Sequence, residues 1–163
     1  MKAYLVNKYK GPMTAGDAPE PTVGDRDVLV DIHAAGVNML DAKIRDGEFK
    51  LILPYKAPFA LGHDLAGVVT SVGSAVTHFA VGDEVYARPR DGHIGTFAHR
   101  IAVHEDDLAL KPPSLSMPEA ASVPLGALTA WQALVERANL RPGQKVLIHA
   151  GSGGVGTYAI QLA

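Results

Sequence analysis

One hexapeptide, Gly151-Ser152-Gly153-Gly154-Val155-Gly156, has the residue types and spacing to hold a phosphate. Gly151, Gly153 and Gly156 fall on the three glycine positions of G-x-G-x-x-G. In that pattern the first glycine allows a tight strand-to-helix turn. The second lets backbone approach a pyrophosphate, and the third lets helix and strand pack closely. The following helix then turns its unpaired N–H groups and positive dipole end toward the phosphates. Glycine clusters also make plain loops, so the flanks decide. Gln144 to Ala150, centred on Lys145-Val146-Leu147-Ile148-His149, reads as a β-strand, and Thr157 to Ala163 reads as a helix. An acidic residue about 20 positions further on, or a basic residue reading a 2′-phosphate, would lie beyond Ala163. There is no cysteine, which removes disulfide frameworks, thiolate metal sites and thiol nucleophiles together.

The residues ahead of that loop must supply a scaffold, and they read as short strands. Val28, Val30, Ile32 and Ala34 alternate with Leu29, Asp31, His33 and Ala35, giving one apolar face. Leu65 to Val72, Glu84 to Ala87, Thr96 to Val103 and Leu108 to Leu110 are further strand candidates, punctuated by Gly and Pro. Leu40, Ile44 and the stretch Asp41 to Arg45 suit a short helix ended by Gly47. Many short strands with such turns predict a compact β-barrel-like domain rather than a parallel sheet. The pattern then changes. Ser116 with Glu119 three positions on fits a capping box. Leu128, Trp131, Leu134 and Val135 recur at helical spacing until Arg141-Pro142-Gly143 stops them. The expected division is therefore a barrel-like domain over 1–123, then a linking helix and the first β-α unit of a nucleotide-binding domain over 124–163. Ala163 lies inside the last helix without a stop signal, so the sequence reads as a fragment of a longer protein.

The chain has 163 residues, 47% hydrophobic and 20% charged, with a formal net charge of -2. Such a balance gives no electrostatic footprint for nucleic acid or an anionic membrane. The N-terminal Met-Lys-Ala-Tyr-Leu-Val turns polar at Asn7 and lacks the apolar stretch of a signal peptide. No apolar run approaches membrane-spanning length, and a cytoplasmic location is the expectation.

Several segments together resemble the medium-chain dehydrogenase/reductase superfamily, in its zinc-free quinone oxidoreductase branch. They are Ala34-Ala35-Gly36-Val37-Asn38-Met39-Leu40-Asp41, Leu61-Gly62-His63-Asp64-Leu65-Ala66-Gly67-Val68-Val69, Gly82-Asp83-Glu84-Val85, Gly95-Thr96-Phe97-Ala98, Leu128-Thr129-Ala130-Trp131 and the glycine loop. Ile44-Arg45-Asp46-Gly47-Glu48-Phe49-Lys50 and Leu53-Pro54-Tyr55 are most similar to NADPH-dependent alkenal/one reductases and chloroplast-envelope quinone oxidoreductase homologues. The resemblance implies a mixed α/β protein, with a GroES-like β-barrel catalytic domain followed by a Rossmann domain that is cut short here. It also implies hydride transfer from NADPH, with NADH as the alternative, to a quinone or an activated C=C of a small-molecule substrate. The full-length protein is expected to be a homodimer, and a later segment to complete its catalytic domain. The 163 residues alone are expected to be inactive.

The resemblance further assigns residues. Asn38 stands where zinc-dependent relatives have a cysteine, with His63 and Asp64 at the positions of a histidine and its neighbouring acid. An amide is a poor zinc ligand, so no zinc is expected, and His63 reads as a hydrogen-bonded histidine beside a glycine turn. Without zinc, the oxyanion that develops during hydride transfer needs hydrogen-bond donors. Asn38 is the catalytic candidate, serving the substrate oxygen or holding the nicotinamide, with a loop-capping amide as the plainer alternative. Asp41 and Tyr55 are assigned to the substrate pocket, although Asp41 could simply cap its helix and Tyr55 could simply pack. Thr129, Gly151, Ser152, Gly153, Gly154, Val155 and Gly156 are assigned to the cofactor. The branch's more usual pocket tyrosine sits near Phe49, which has no hydroxyl to donate, so solvent is left to protonate the product. The competing classes are a non-catalytic crystallin-like or partner-binding member, a stand-alone GroES-like module, and a zinc alcohol dehydrogenase.

Overall fold

The computed structural model describes residues 1–163. Eight strands form two antiparallel sheets. β1 (Lys2–Val6), β2 (Met13–Asp17) and β4 (Phe59–Ala60) make a three-stranded sheet in the order β2-β1-β4. The larger sheet has the order β7-β3-β5-β6-β8, from β3 (Asp27–Gly36), β5 (Asp64–Val72), β6 (Glu84–Ala87), β7 (Arg100–His104) and β8 (Leu108–Leu110). An Ala3–Ala98 bridge links β1 to the chain entering β7.

The period-two alternation read in β3 is used as expected. Val28 and Val30 are buried, His33 is exposed, and the strand pairs with β5 on one side and β7 on the other. Val28, Val30, Leu65, Val69, Val85, Ala87, Ile101 and Val103 form the main core. Each fully buried Val, Leu or Ile stabilises the fold by about 1.5–3 kcal/mol. Two register shifts, at Leu29/Val30 and Ile32/Ala34, bend β3 toward its C-terminal end, where the helices attach. A second cluster, Val6, Ile44 and Leu61, joins the small sheet to α1 (Met39–Arg45). That helix stops where the sequence placed its end: Asp46 is the C-cap and Gly47 takes φ +82°.

Downstream, α2 (Met117–Ala121) starts with the expected capping box. Glu119 Oε2 accepts the Ser116 N–H at 2.8 Å. α3 (Pro124–Trp131) follows at once and widens into a π-helical turn over Gln132–Arg137. The helical run ends earlier than expected, at Asn139 (φ 49°), with Leu140 N–H bonded back to Leu134. Arg141 to Gln144 is a separate turn beyond it.

Three expectations need correction. Thr96 to Val103 is a strand only from Arg100, because the residues before it turn around Gly62 through hydrogen bonds from Gly95, Thr96 and Phe97. Gln144 to Ala150 does not form a strand. A strand needs a neighbour to take its ladder bonds, and no strand of either sheet runs beside it. Leu147 is accordingly 82% exposed. The helix after the glycine loop, α4 (Gly154–Leu162), begins three residues before the predicted Thr157. No helix is long and apolar enough to cross a membrane.

Candidate active site

Asn38 follows β3 and occupies the N-cap position of α1 with extended backbone (φ −119°, ψ 153°). Its side chain faces the N3 backbone in a capping-box arrangement. The amide nitrogen turns to the start of β5, where Nδ2 donates to Asp64 Oδ2 at 2.9 Å. Asn38 and Asp41 form that capping box at the start of α1, so Asn38 serves the helix end while its amide nitrogen serves Asp64. The reciprocal bond comes from Asp41, whose Oδ2 accepts the Asn38 backbone N–H at 2.8 Å. The other Asp41 oxygen accepts Gly62 N–H at 3.2 Å and His63 Nδ1 at 2.7 Å. At 3% exposure, Asp41 has no surface left for a substrate. Its assignment to the pocket lining is corrected accordingly: it ties the Asn38 turn to the Gly62–His63 turn from behind.

His63 is fully buried, and its Nε2 and the Thr96 hydroxyl have no partner. With its Nδ1 committed to Asp41, His63 keeps only the buried Nε2 unpartnered. No group of three or more His, Cys, Asp or Glu side chains converges anywhere in the protein.

Asp64, noted in the sequence only as the acid beside His63 and given no role, is the residue that the structure makes central. It is 1% exposed, and each oxygen accepts one neutral donor. Oδ2 takes the Asn38 amide, and Oδ1 takes Leu125 N–H in the first turn of α3 at 2.9 Å. Burial pushes its carboxyl up to about 6, and the bonds from Asn38 and Leu125 hold it down only in part. Gly36 makes this approach possible. A Cβ there would lie 2.5 Å from the Ala121 carbonyl oxygen and 2.9 Å from Asp64 Cβ.

On α3, Thr129 Oγ1 bonds back to Leu125 O at 2.7 Å. Thr129 lines an open cavity of about 800 Å³ together with Arg90, Trp131 and Tyr158. Asn38 and the glycine loop lie outside that lining. They reach α3 by other routes, Asn38 through Asp64 and the loop through α4. Gly126 of α3 faces the Tyr158 ring and Gly154 O, where a Cβ would sit 3.1 Å and 3.3 Å away.

Tyr55 belongs to a different place. Its ring stacks on Phe59 at 5.3 Å between centroids, its hydroxyl accepts Gly92 N–H at 3.2 Å, and it packs on the Val6, Ile44, Leu61 cluster. Burial raises its phenol above the usual range. No contact joins it to Asn38, and its geometry is that of a packing residue.

The glycine loop turns as its pattern requires, with one exchange of roles. The left-handed residue is Ala150 (φ 53°), not Gly151. Gly153 is the N-cap of α4. Gly156 is buried, and a Cβ on it would meet Ala150 O at 2.2 Å. Nothing lies within 4 Å of the Cβ direction of Gly154, so open space stands before the helix N-terminus. This geometry fits a pyrophosphate: a bare backbone approach, clear space, and first-turn N–H groups that a helix leaves unpaired.

Residues 24–113 match the alcohol dehydrogenase GroES-like domain, more than half of the chain. The chain belongs to that family. It is 38% identical to the NADPH-dependent alkenal/one oxidoreductase, chloroplastic, of Arabidopsis thaliana, over 100% of this chain and 44% of that protein. It is 42% identical to the quinone-oxidoreductase homolog, chloroplastic, of Spinacia oleracea, over 100% and 52%. Among solved structures, an alcohol dehydrogenase superfamily protein from Novosphingobium aromaticivorans superposes with a TM-score of 0.94 at 44% identity, covering 99% of this chain and 49% of that one. The chain spans about half the length of the curated relatives it matches. These likenesses place the GroES-like chain in the medium-chain dehydrogenase/reductase superfamily, as its motifs implied. The two plant relatives are named as chloroplastic, which gives no support to the cytoplasmic expectation.

Proposed function

We propose that the protein carrying this chain is a zinc-independent oxidoreductase that moves hydride from NADPH to quinones or α,β-unsaturated carbonyls. The observation that supports this most is the Asn38 amide, held by Asp64 at the turn between β3 and α1 and tied through Leu125 to the helix bearing Thr129. The names of the plant relatives support the substrate class and the cofactor. NADPH, when bound, supplies the hydride. Gly151 to Gly156 would hold its pyrophosphate, and Thr129 its nicotinamide ribose or carboxamide.

Asn38 gives one N–H to Asp64 and keeps a second N–H. The second N–H can donate to the substrate oxygen as negative charge develops there. One such donor is worth about 10²–10³ in turnover. Phe49 offers no proton, so water protonates the product. The donor chemistry also argues against zinc, because the position beside His63 and Asp64 is filled by the Asn38 amide and the chain has no cysteine to supply a thiolate.

The reading divides the chain into a catalytic part over 1–123 and the start of a cofactor domain over 124–163. It places the full-length protein in the cytoplasm as a homodimer, to be checked by cell fractionation and light scattering. Its direct test is NADPH oxidation by the full-length protein with a quinone and with a short alkenal. Turnover with either, without added metal and without zinc by elemental analysis, is the expected result. NADPH binding without turnover on any quinone or enone would favour the non-catalytic alternative. One tightly held zinc per chain would overturn the metal assignment.

A further inference from the structure

We propose that Asp64 is a positioning residue that dictates which end of the Asn38 amide faces the reacting centre and ties that orientation to α3. The inference rests on the reading of Asn38 as a group that touches substrate or cofactor.

A carboxylate makes a one-sided demand on its partners. Ionised, it only accepts hydrogen bonds. Its 2.9 Å contact with Asn38 therefore requires the amide nitrogen, and the carbonyl oxygen must point the other way. The two ends of an amide differ little in shape and are told apart by their hydrogen-bond partners, and here the carboxylate makes the choice. Asp64 also anchors α3, since its second oxygen takes Leu125 N–H from the first turn of the helix, four residues before Thr129. One buried side chain thus links the residue assigned to the substrate with the helix assigned to the cofactor.

Packing leaves Asp64 little freedom. It is 1% exposed, with Gly36 against its Cβ. The titratable groups facing it are His63 and Asp41, and those two are bonded to each other. No Lys or Arg neutralises it, so the two bonds described are what hold the charge in place. A serine or asparagine would cap α3 without this cost. What an acid adds at this position is the fixed polarity of the Asn38 amide.

The decisive variant is Asp64→Asn in the full-length enzyme. The new side chain is isosteric and neutral. If its oxygen keeps Leu125 N–H, its NH2 group faces Asn38 and turns that amide round. If its oxygen faces Asn38 instead, the helix anchor is lost. The expected result is kcat lowered roughly tenfold to a hundredfold, the scale of a small misplacement of a reacting group. The thermal midpoint should stay within a few degrees and the KM for NADPH within a few-fold. In the wild-type enzyme kcat should fall below about pH 6, as Asp64 takes up a proton and gains a donor of its own. That limb should vanish in Asp64→Asn.

A soluble Asp64→Asn protein with wild-type kcat overturns the proposal. If the variant does not fold, the wild-type profile decides, and a kcat that is flat from pH 5 to 8 overturns it equally. Asn38→Ala separates the two levels. If it leaves kcat unchanged, the reading of Asn38 itself fails. If Asn38→Ala lowers kcat while Asp64→Asn does not, only the positioning role is lost.

Discussion

Of the three carboxylates buried in this fold, Glu105 and Asp64 are held in opposite ways. Glu105, 3% exposed, follows β7 and meets a cation: Arg26 Nε lies 3.0 Å from Oε1, while Thr77 N–H donates to Oε2 at 3.2 Å. The Thr77 bond and the guanidinium hold its carboxyl below the ordinary glutamate range. Asp64, 1% exposed, meets only an amide and a helix N–H, and burial pushes it up to about 6. The first carboxylate ties two loops to a sheet edge, far from the glycine loop and from Asn38. The second lies between the residues that would touch substrate and cofactor. A buried acid with its own cation is a structural tie. A buried acid without one, bonded to an amide and a helix N–H, marks the place where the fold accepts a cost for positioning.

The comparison can be broken by experiment. The largest effect is expected at the group Asp64 holds. Asn38→Ala should lower kcat for enone or quinone reduction by about 10²–10³ while changing NADPH affinity much less. Steady-state kinetics on the full-length enzyme would check this.

Next is the pH dependence of stability, where the two acids should act with opposite sign. The folded-state value of Asp64 lies above its unfolded value of 3.8. Between about pH 4 and pH 6 the folded protein therefore keeps a proton that the unfolded chain gives up. Stability should fall by roughly 3 kcal/mol across that window as pH rises, then stay level. Glu105 is depressed below 4.5, so its contribution is present above that pH and is lost as pH falls through its folded value. Denaturant titrations of the wild type and of Asp64→Asn at pH 4, 6 and 8 would show the Asp64 component as their difference. An identical pH slope in the two proteins would refute the assignment.

A smaller, purely structural effect is expected at Glu105. Glu105→Gln should lower the thermal midpoint by several degrees through the lost Arg26 pair, with kcat unchanged below the transition. A change in kcat would erase the distinction between the two carboxylates. The smallest effect is expected at Thr129, whose hydroxyl is already bonded to Leu125 O. Thr129→Val should raise the KM for NADPH only a few-fold, and Thr129→Ser should restore it.

What the sequence revealed depended on how local each signal was. β3 and β6 were legible because their alternation records burial directly, and β5 because it is a near-continuous apolar run buried on both faces at its start. The α1 and α2 boundaries were legible because Gly47, Ser116 and Glu119 act within one turn. β1, β2 and β4 were not, because Met13–Asp17 is polar and short and is a strand only through pairing with Lys2–Val6. Val146 to Ile148 failed the other way: strong local preference, no ladder partner. Asn38 and the glycine loop stood out by type and spacing. Asp64 stood out only as the acid beside His63, with no role once zinc was set aside. Its partners, Asn38 and Leu125, lie 26 and 61 residues away in the chain.

The close approach at Gly36 sets a limit on how this chain can vary. Any side chain there would push the Ala121 carbonyl away, and with it the start of α3 that Asp64 grips. If position 36 were randomised and survivors selected for turnover, glycine alone should return. Selection for folding without turnover should also admit alanine, since a barrel can tolerate a displaced helix that a reaction cannot. Drift through related sequences should therefore change Gly36 only in lineages that have already abandoned the chemistry.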